Sequence, residues 1–159
     1  VGRGTTFNIY LPAVFEDEID TTNDETPPHP QQMDVSGTET ILVVEDEVSV
    51  REMALRVLRQ AGYTVYAAAN GVEGLAEAEA HQHKLDVVLT DVVMPKMNGK
   101  VMAEEIYKRN HNIKILFMSG YHSDIAFEHD SPFAHFKLLE KPFSPSDLLQ
   151  FVRRGLDTP

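Results

Sequence analysis

Charged and hydroxyl side chains in this sequence stand at the ends of apolar runs. Glu45 and Asp46 follow TILVV (40–44), Asp91 follows DVVLT (86–90), Ser119 follows KILFM (114–118), and Glu140-Lys141 follows FKLL (136–139). A carboxylate at the end of a buried strand is costly unless it is paired or used. If Glu45, Asp46 and Asp91 converge, each pair at about 4 Å costs on the order of 4 kcal/mol at an effective dielectric near 20. A cation is the natural solution. Carboxylates, a backbone carbonyl and water suit Mg²⁺, which completes its octahedron with phosphate and water. Lys141 would then balance a phosphoryl group and the Ser119 hydroxyl would hydrogen-bond it. This is a phosphoryl-transfer site with a carboxylate nucleophile.

That chemistry requires the strand ends to share one edge. A further apolar run lies at 64–68 (TVYAA) and ends near Asn70, with little chemistry to offer. Helix-period segments separate the runs at 48–61, 72–82, 99–109 and 145–156. Val50, Ala54, Val57, Leu58 and Ala61 share a face in the first, which Gly62 stops. Leu148, Leu149, Val152 and Leu156 make the stripe of the last. Between the fourth and fifth strands, 124–129 reads as a short helix that Ser131-Pro132 interrupts. Five βα units imply an α/β fold with a doubly wound parallel sheet covered on both faces. Ligands bind such sheets at the carboxyl edge, where strand order reverses. The flavodoxin-like order 2-1-3-4-5 puts the TVYAA strand outside and sets strands 1 and 3 side by side, so that Glu45, Asp46 and Asp91 meet.

Four motifs in order, VVEDE (43–47), DVVMPKMNG (91–99), MSGY (118–121) and EKPF (140–143), resemble a response-regulator receiver domain over roughly residues 38–158. The resemblance implies Asp91 as phosphoacceptor. It implies Mg²⁺, with Mn²⁺ as a substitute, held by Glu45, Asp46, Asp91 and the carbonyl of Val93. Ser119 binds a phosphoryl oxygen, Lys141 pairs with the phosphoryl group, and the Lys141-Pro142 bond is cis. The donor is a phosphohistidine, on a kinase domain of the same chain or on a histidine phosphotransfer protein. Phosphorylation is expected to change the surface made by the fourth and fifth strands and the helices that follow them.

The sequence departs from the family at Leu138, where receivers usually carry Tyr or Phe three residues before the lysine. Leu138 cannot report phosphorylation by an aromatic switch. Val93 and Tyr121, at positions that tune dephosphorylation in the family, offer no acid or amide to orient water, so slow loss of the phosphoryl group is expected.

The first residues, GRGTTFNIYLP, resemble the last strand of a histidine-kinase ATP-binding domain. Residues 1–12 are read as that remnant, 13–37 as an acidic flexible linker and 38–159 as the receiver. The chain starts at Val1 without Met, as a piece of a longer protein would, and the order resembles the C-terminal end of a hybrid sensor histidine kinase. The fragment itself is expected not to be an enzyme, its parent to be a transferase. No DNA-binding output module is expected after the last helix.

The formal net charge is −11. Between Ala13 and Glu39 there are eight Asp or Glu and no Lys or Arg, which is spacer chemistry. No basic stripe offers a nucleic-acid footprint. No run is long enough to span a membrane, and no signal-peptide pattern is present. A cytoplasmic location is expected, with any membrane anchor in the missing N-terminal part. The absence of Cys excludes disulfides and thiolate chemistry. The oligomeric state is not legible.

Blander readings exist for each motif. Glu45-Asp46-Glu47 could be acids at a helix N-terminus, Asp91 a cap, and Ser119-Gly120 and Lys141-Pro142 plain turns. The seven His lack metal-site spacing. Among functional alternatives, a Mg²⁺-dependent phosphohydrolase of the haloacid-dehalogenase type needs a second acid where Val93 stands. A flavodoxin-like cofactor binder needs a phosphate-friendly first loop, and EDEV would repel phosphate. A receiver used only for protein contacts would not need the intact acid set.

Overall fold

The computed structural model describes residues 34–120 and 138–158. The expected strand at 1–12, most of the acidic segment, the helix at 124–129 and Tyr121 lie outside the described residues. The elements run β1 (Thr40–Val44), α1 (Val48–Gln60), β2 (Thr64–Ala68), α2 (Gly71–Ala80), β3 (Val87–Asp91), α3 (Gly99–Arg109), β4 (Lys114–Ser119), β5 (Leu138–Glu140) and α4 (Pro145–Asp157). The five strands are all parallel, in the order β2-β1-β3-β4-β5. The expected doubly wound sheet is therefore what forms.

Strand alternation sorts the core into two layers. Ile41 and Val43 of β1, with Val87 and Leu89 of β3, face α1 and α4 and meet Ala54, Leu58, Leu148 and Val152. Leu42 and Val44, with Val88 of β3, face α2 and α3 and meet Ala78, Met102, Ala103 and Ile106. A strand buried on both faces shows no polar alternation, which is why β1 and β3 read as unbroken apolar runs. Leu55 of α1 is buried as well as Ala54, Val57 and Leu58 of the expected stripe, while Val50 and Ala61 are only half-buried.

Local chemistry fixes the boundaries. Asn70 caps α2, its side chain accepting the Glu73 N–H at 3.2 Å, and is itself buried. Asn98 accepts the Val101 N–H at the start of α3. Ser144 and Asp147 form a capping box on α4, with Pro145 in the first turn. α1 ends at Gln60, and two residues on Gly62 has a φ of +100°, open to glycine and strained for other residues. The last residues ahead of β1 are tied to the domain: Tyr63 donates its hydroxyl to Val35 O, and Gly37 N–H bonds Ala61 O.

Candidate functional site: an acidic cluster at the carboxyl edge

Sheet register builds the site. Val44 pairs with Thr90 across the β1–β3 ladder, so Glu45, the residue just after β1, comes alongside Asp91 at the carboxyl edge. Asp46 begins the turn into α1. One strand further, Asp91 pairs with Met118, and Ser119 pairs with Glu140. The Lys141 N–H donates to Ser119 O at 2.8 Å, which fixes the lysine at the end of β5. The Lys141-Pro142 peptide is cis.

Carboxylate oxygens of Glu45, Asp46 and Asp91 all lie within 4.8 Å of one another. Glu45 is fully buried, Asp91 is nearly so, and Asp46 is exposed. Lys141 joins them from the end of β5. Its Nζ lies 2.6 Å from Glu45 Oε2 and 2.7 Å from Asp91 Oδ2. The Asp91 contact is a hydrogen bond. The Glu45 contact is a buried ion pair. Asp91 Oδ1 accepts the Val93 N–H at 3.2 Å, and Glu45 Oε1 accepts the Glu47 N–H at 3.2 Å.

The electrostatics follow from this packing. Burial pushes the Glu45 carboxyl above the ordinary range; Lys141 opposes the rise and the Asp91 charge adds to it. Burial pulls the Lys141 ammonium down, but its contacts with Asp91 and Glu45 outweigh that and hold it above the ordinary lysine value. Three carboxylates against one ammonium leave an excess of negative charge when all are ionised. An all-oxygen donor set and a surplus of negative charge together fit a hard divalent cation.

The loop after Asp91 is held tightly. Val92 N–H bonds Met118 O, and Gly99 N–H bonds Val92 O at 2.9 Å. Met97 N–H reaches Pro95 O at 2.8 Å around Lys96, whose φ of +66° makes this a sparsely populated turn. A Cβ at Gly99 would sit 1.9 Å from Asp91 O, so only glycine fits. Thr90, fully buried, donates its hydroxyl to Asp91 O at 2.9 Å.

Of the residues singled out from sequence, Glu45, Asp46, Asp91 and Lys141 meet directly. Ser119 is buried at the end of β4, next to the strand that carries Asp91. Val93 contributes a backbone N–H, and its side chain is exposed. Leu138 is half-buried and pairs in register with Phe117. Three histidines are described. His81 stacks on Tyr66 and pairs with Glu77, His111 packs on Tyr107 and His83 is exposed. Among the described residues, the acid trio is the group that could hold a metal. Three contributors were not anticipated: Thr90, Gly99 and Arg51. The Arg51 guanidinium donates to the backbone carbonyls of Glu45 and Asp46. Its signal was a basic residue five and six positions beyond the acids, at the start of a helix.

The family model for the response regulator receiver domain matches residues 41–153. The sensor kinase CckA of Brucella abortus is 41% identical over 99% of this chain, which spans 17% of that kinase. The response regulator receiver protein CpdR of the same organism is 32% identical over 73% of this chain and 95% of its own length. Among solved structures, the receiver domain from hybrid histidine kinase CckA is 32% identical with a TM-score of 0.63, covering 74% of this chain and 99% of that one. The chemotaxis response regulator CheY4 of Vibrio cholerae is 30% identical with a TM-score of 0.65, covering 76% of this chain and all of that one. With a five-stranded 2-1-3-4-5 sheet and this acid–lysine edge, the chain belongs to the response regulator receiver domain family.

Proposed function

We propose that this receiver accepts a phosphoryl group on Asp91 from a phosphohistidine, in a Mg²⁺-dependent step of a two-component phosphorelay. The observation that carries the reading is the convergence of Glu45, Asp46 and Asp91, with Lys141 in contact with two of them. An Asp91 carboxylate oxygen attacks phosphorus, the P–N bond to the imidazole breaks, and an acyl phosphate forms. Glu45, Asp46, Asp91 and the Val93 carbonyl would hold Mg²⁺, or Mn²⁺ in its place. The bound cation supplies charge neutralisation on the phosphoryl oxygens. Lys141, already on Asp91 Oδ2, balances the phosphoryl charge that arrives there. The Ser119 hydroxyl takes a phosphoryl oxygen. The Val93 N–H keeps Asp91 oriented.

Val93 and Tyr121 offer no acid or amide to orient an attacking water, which supports a long-lived phosphoryl group suited to a relay. Leu138 replaces the family's aromatic, so the phosphorylation-dependent change of the β4–β5 and α4 surface proceeds without a ring. A phosphohydrolase is disfavoured by Val93, which stands where that chemistry needs an acid. The fragment acts as an acceptor rather than as a turnover enzyme.

The alignment with the sensor kinase runs over almost the whole chain. That supports residues 1–12 as the end of a kinase ATP-binding domain, 13–37 as a linker and 38–159 as the receiver of a cytoplasmic hybrid-kinase tail. No helix among the described residues is long and apolar enough to cross a membrane. The test is intact-mass measurement after incubation with a small phosphodonor and Mg²⁺. Gain of one phosphoryl group, lost in Asp91→Asn and with chelator, supports the reading. No gain with any donor, or sustained release of free phosphate at enzymatic rates, overturns it.

A further inference from the structure

The turn that carries Glu45 and Asp46 into α1 has an unusual fastening. The N-cap position of α1, Glu47, makes no side-chain cap. The first helical bond is Arg51 N–H to Glu47 O. The carbonyls of Glu45 and Asp46 lie ahead of that bond, where the helix's own N–H groups do not reach. Arg51, half-buried in the first turn of α1, reaches back over the helix end and fills the gap. Its Nη1 donates to Glu45 O at 2.6 Å and to Asp46 O at 3.2 Å. Both are charge-assisted bonds, and one nitrogen ties two consecutive carbonyls.

We infer that Arg51 is a positioning residue for the metal site, holding the β1–α1 turn so that the Glu45 and Asp46 carboxylates meet Asp91. The inference rests on the Mg²⁺ reading of the acid cluster. Arg51 acts through backbone carbonyls and touches neither a carboxylate of the trio nor the reacting atoms. Its charge works against its geometry. A cation close to the site repels Mg²⁺, so removal of the charge alone would tighten binding. Loss of the fastening lets the turn relax and weakens binding. Weaker Mg²⁺ affinity after removal of Arg51 can therefore come only from positioning.

The test compares wild type, Arg51→Met and Arg51→Lys by calorimetric Mg²⁺ titration, urea unfolding in chelator and amide hydrogen exchange. Arg51→Met should bind Mg²⁺ about tenfold more weakly, with faster exchange at the Asp46 and Glu47 amides. Arg51→Lys, which keeps a donor on a shorter reach, should fall between the two and serves if the Met variant does not fold. A purely structural role would shift the unfolding midpoint and leave Mg²⁺ affinity alone. Folded variants that bind Mg²⁺ as tightly as wild type, or tighter, overturn the role of Arg51 alone. A wild-type protein that binds no Mg²⁺ overturns the metal reading and this inference with it.

Discussion

Lys141 donates a 2.7 Å hydrogen bond to Asp91 Oδ2 across fifty residues of sequence. The same ammonium lies 2.6 Å from the buried Glu45 carboxylate. One lysine from the end of β5 thus compensates two acids from the ends of β1 and β3. Removing it leaves buried charge without a partner, which costs far more than an exposed ion pair is worth.

Lys141→Met should therefore lower stability in chelator by on the order of 3 kcal/mol. Mg²⁺ should restore a larger share of stability in the variant than it adds to wild type, because the cation takes over the compensation. Urea unfolding with and without Mg²⁺ measures both. A variant as stable as wild type in chelator contradicts the account.

Glu45 gives a pH signature. Its carboxyl titrates above the ordinary 4.5, first because it is buried. Above 4.5 the folded state holds this proton more tightly than the unfolded state does. The corresponding stability is complete below 4.5 and is lost as pH rises through the higher folded value. The stability of Glu45→Gln relative to wild type in chelator should then climb as pH rises above 4.5. Mg²⁺ needs the ionised carboxylate, so its stabilisation of wild type should grow over the same range. Urea midpoints across pH are the measurement, and a flat difference between the two proteins contradicts it.

Gly99→Ala probes the floor beneath the nucleophile. The new Cβ would lie 1.9 Å from Asp91 O and 2.7 Å from the Thr90 hydroxyl. The β3–α3 loop must move, at a cost of about 2 kcal/mol or more. Phosphoryl acceptance should fall even in protein that is fully folded at the assay temperature. Unaltered acceptance kinetics would mean that the Gly99 contact does not set the position of Asp91.

Val93→Asn tests the lifetime. The Val93 side chain is 58% exposed, so the change should leave stability within about 0.5 kcal/mol. An amide beside the acyl phosphate can orient water, and the half-life should shorten on the order of tenfold. Phosphate release followed after donor removal gives the number. A half-life equal to wild type speaks against Val93 as its determinant.

Much of this arrangement was legible because its parts are local. Strands buried on both faces announce themselves as apolar runs, and a polar residue at the end of each marks one edge of the sheet. β3 is an instructive near miss. The apolar run begins at Asp86, but the strand spans Val87–Asp91. Asp86 instead turns its carboxylate onto the Thr40 N–H at 2.7 Å, and Asp91 belongs to the strand itself. Leu55 escaped notice because α1 packs on the sheet and beside α4 at once, which widens its buried face beyond one stripe. Gly99 read only as the start of a helical segment, since its closeness to Asp91 O depends on how the loop folds back. Arg51 is not singled out by the motifs. Its partners are backbone carbonyls, so its spacing from Glu45 and Asp46 is a weak signal that names no side-chain partner.

Asp91 as the phosphoacceptor is the claim on which the rest depends. The most direct measurement traps the product. The protein is phosphorylated in Mg²⁺, reduced with borohydride, digested and sequenced by tandem mass spectrometry. An aspartyl phosphate is converted to homoserine by this treatment, so the account predicts homoserine at position 91 and nowhere else. Homoserine at another acid, or a phosphoryl group retained on a histidine, serine or tyrosine with Asp91 unchanged, would contradict it.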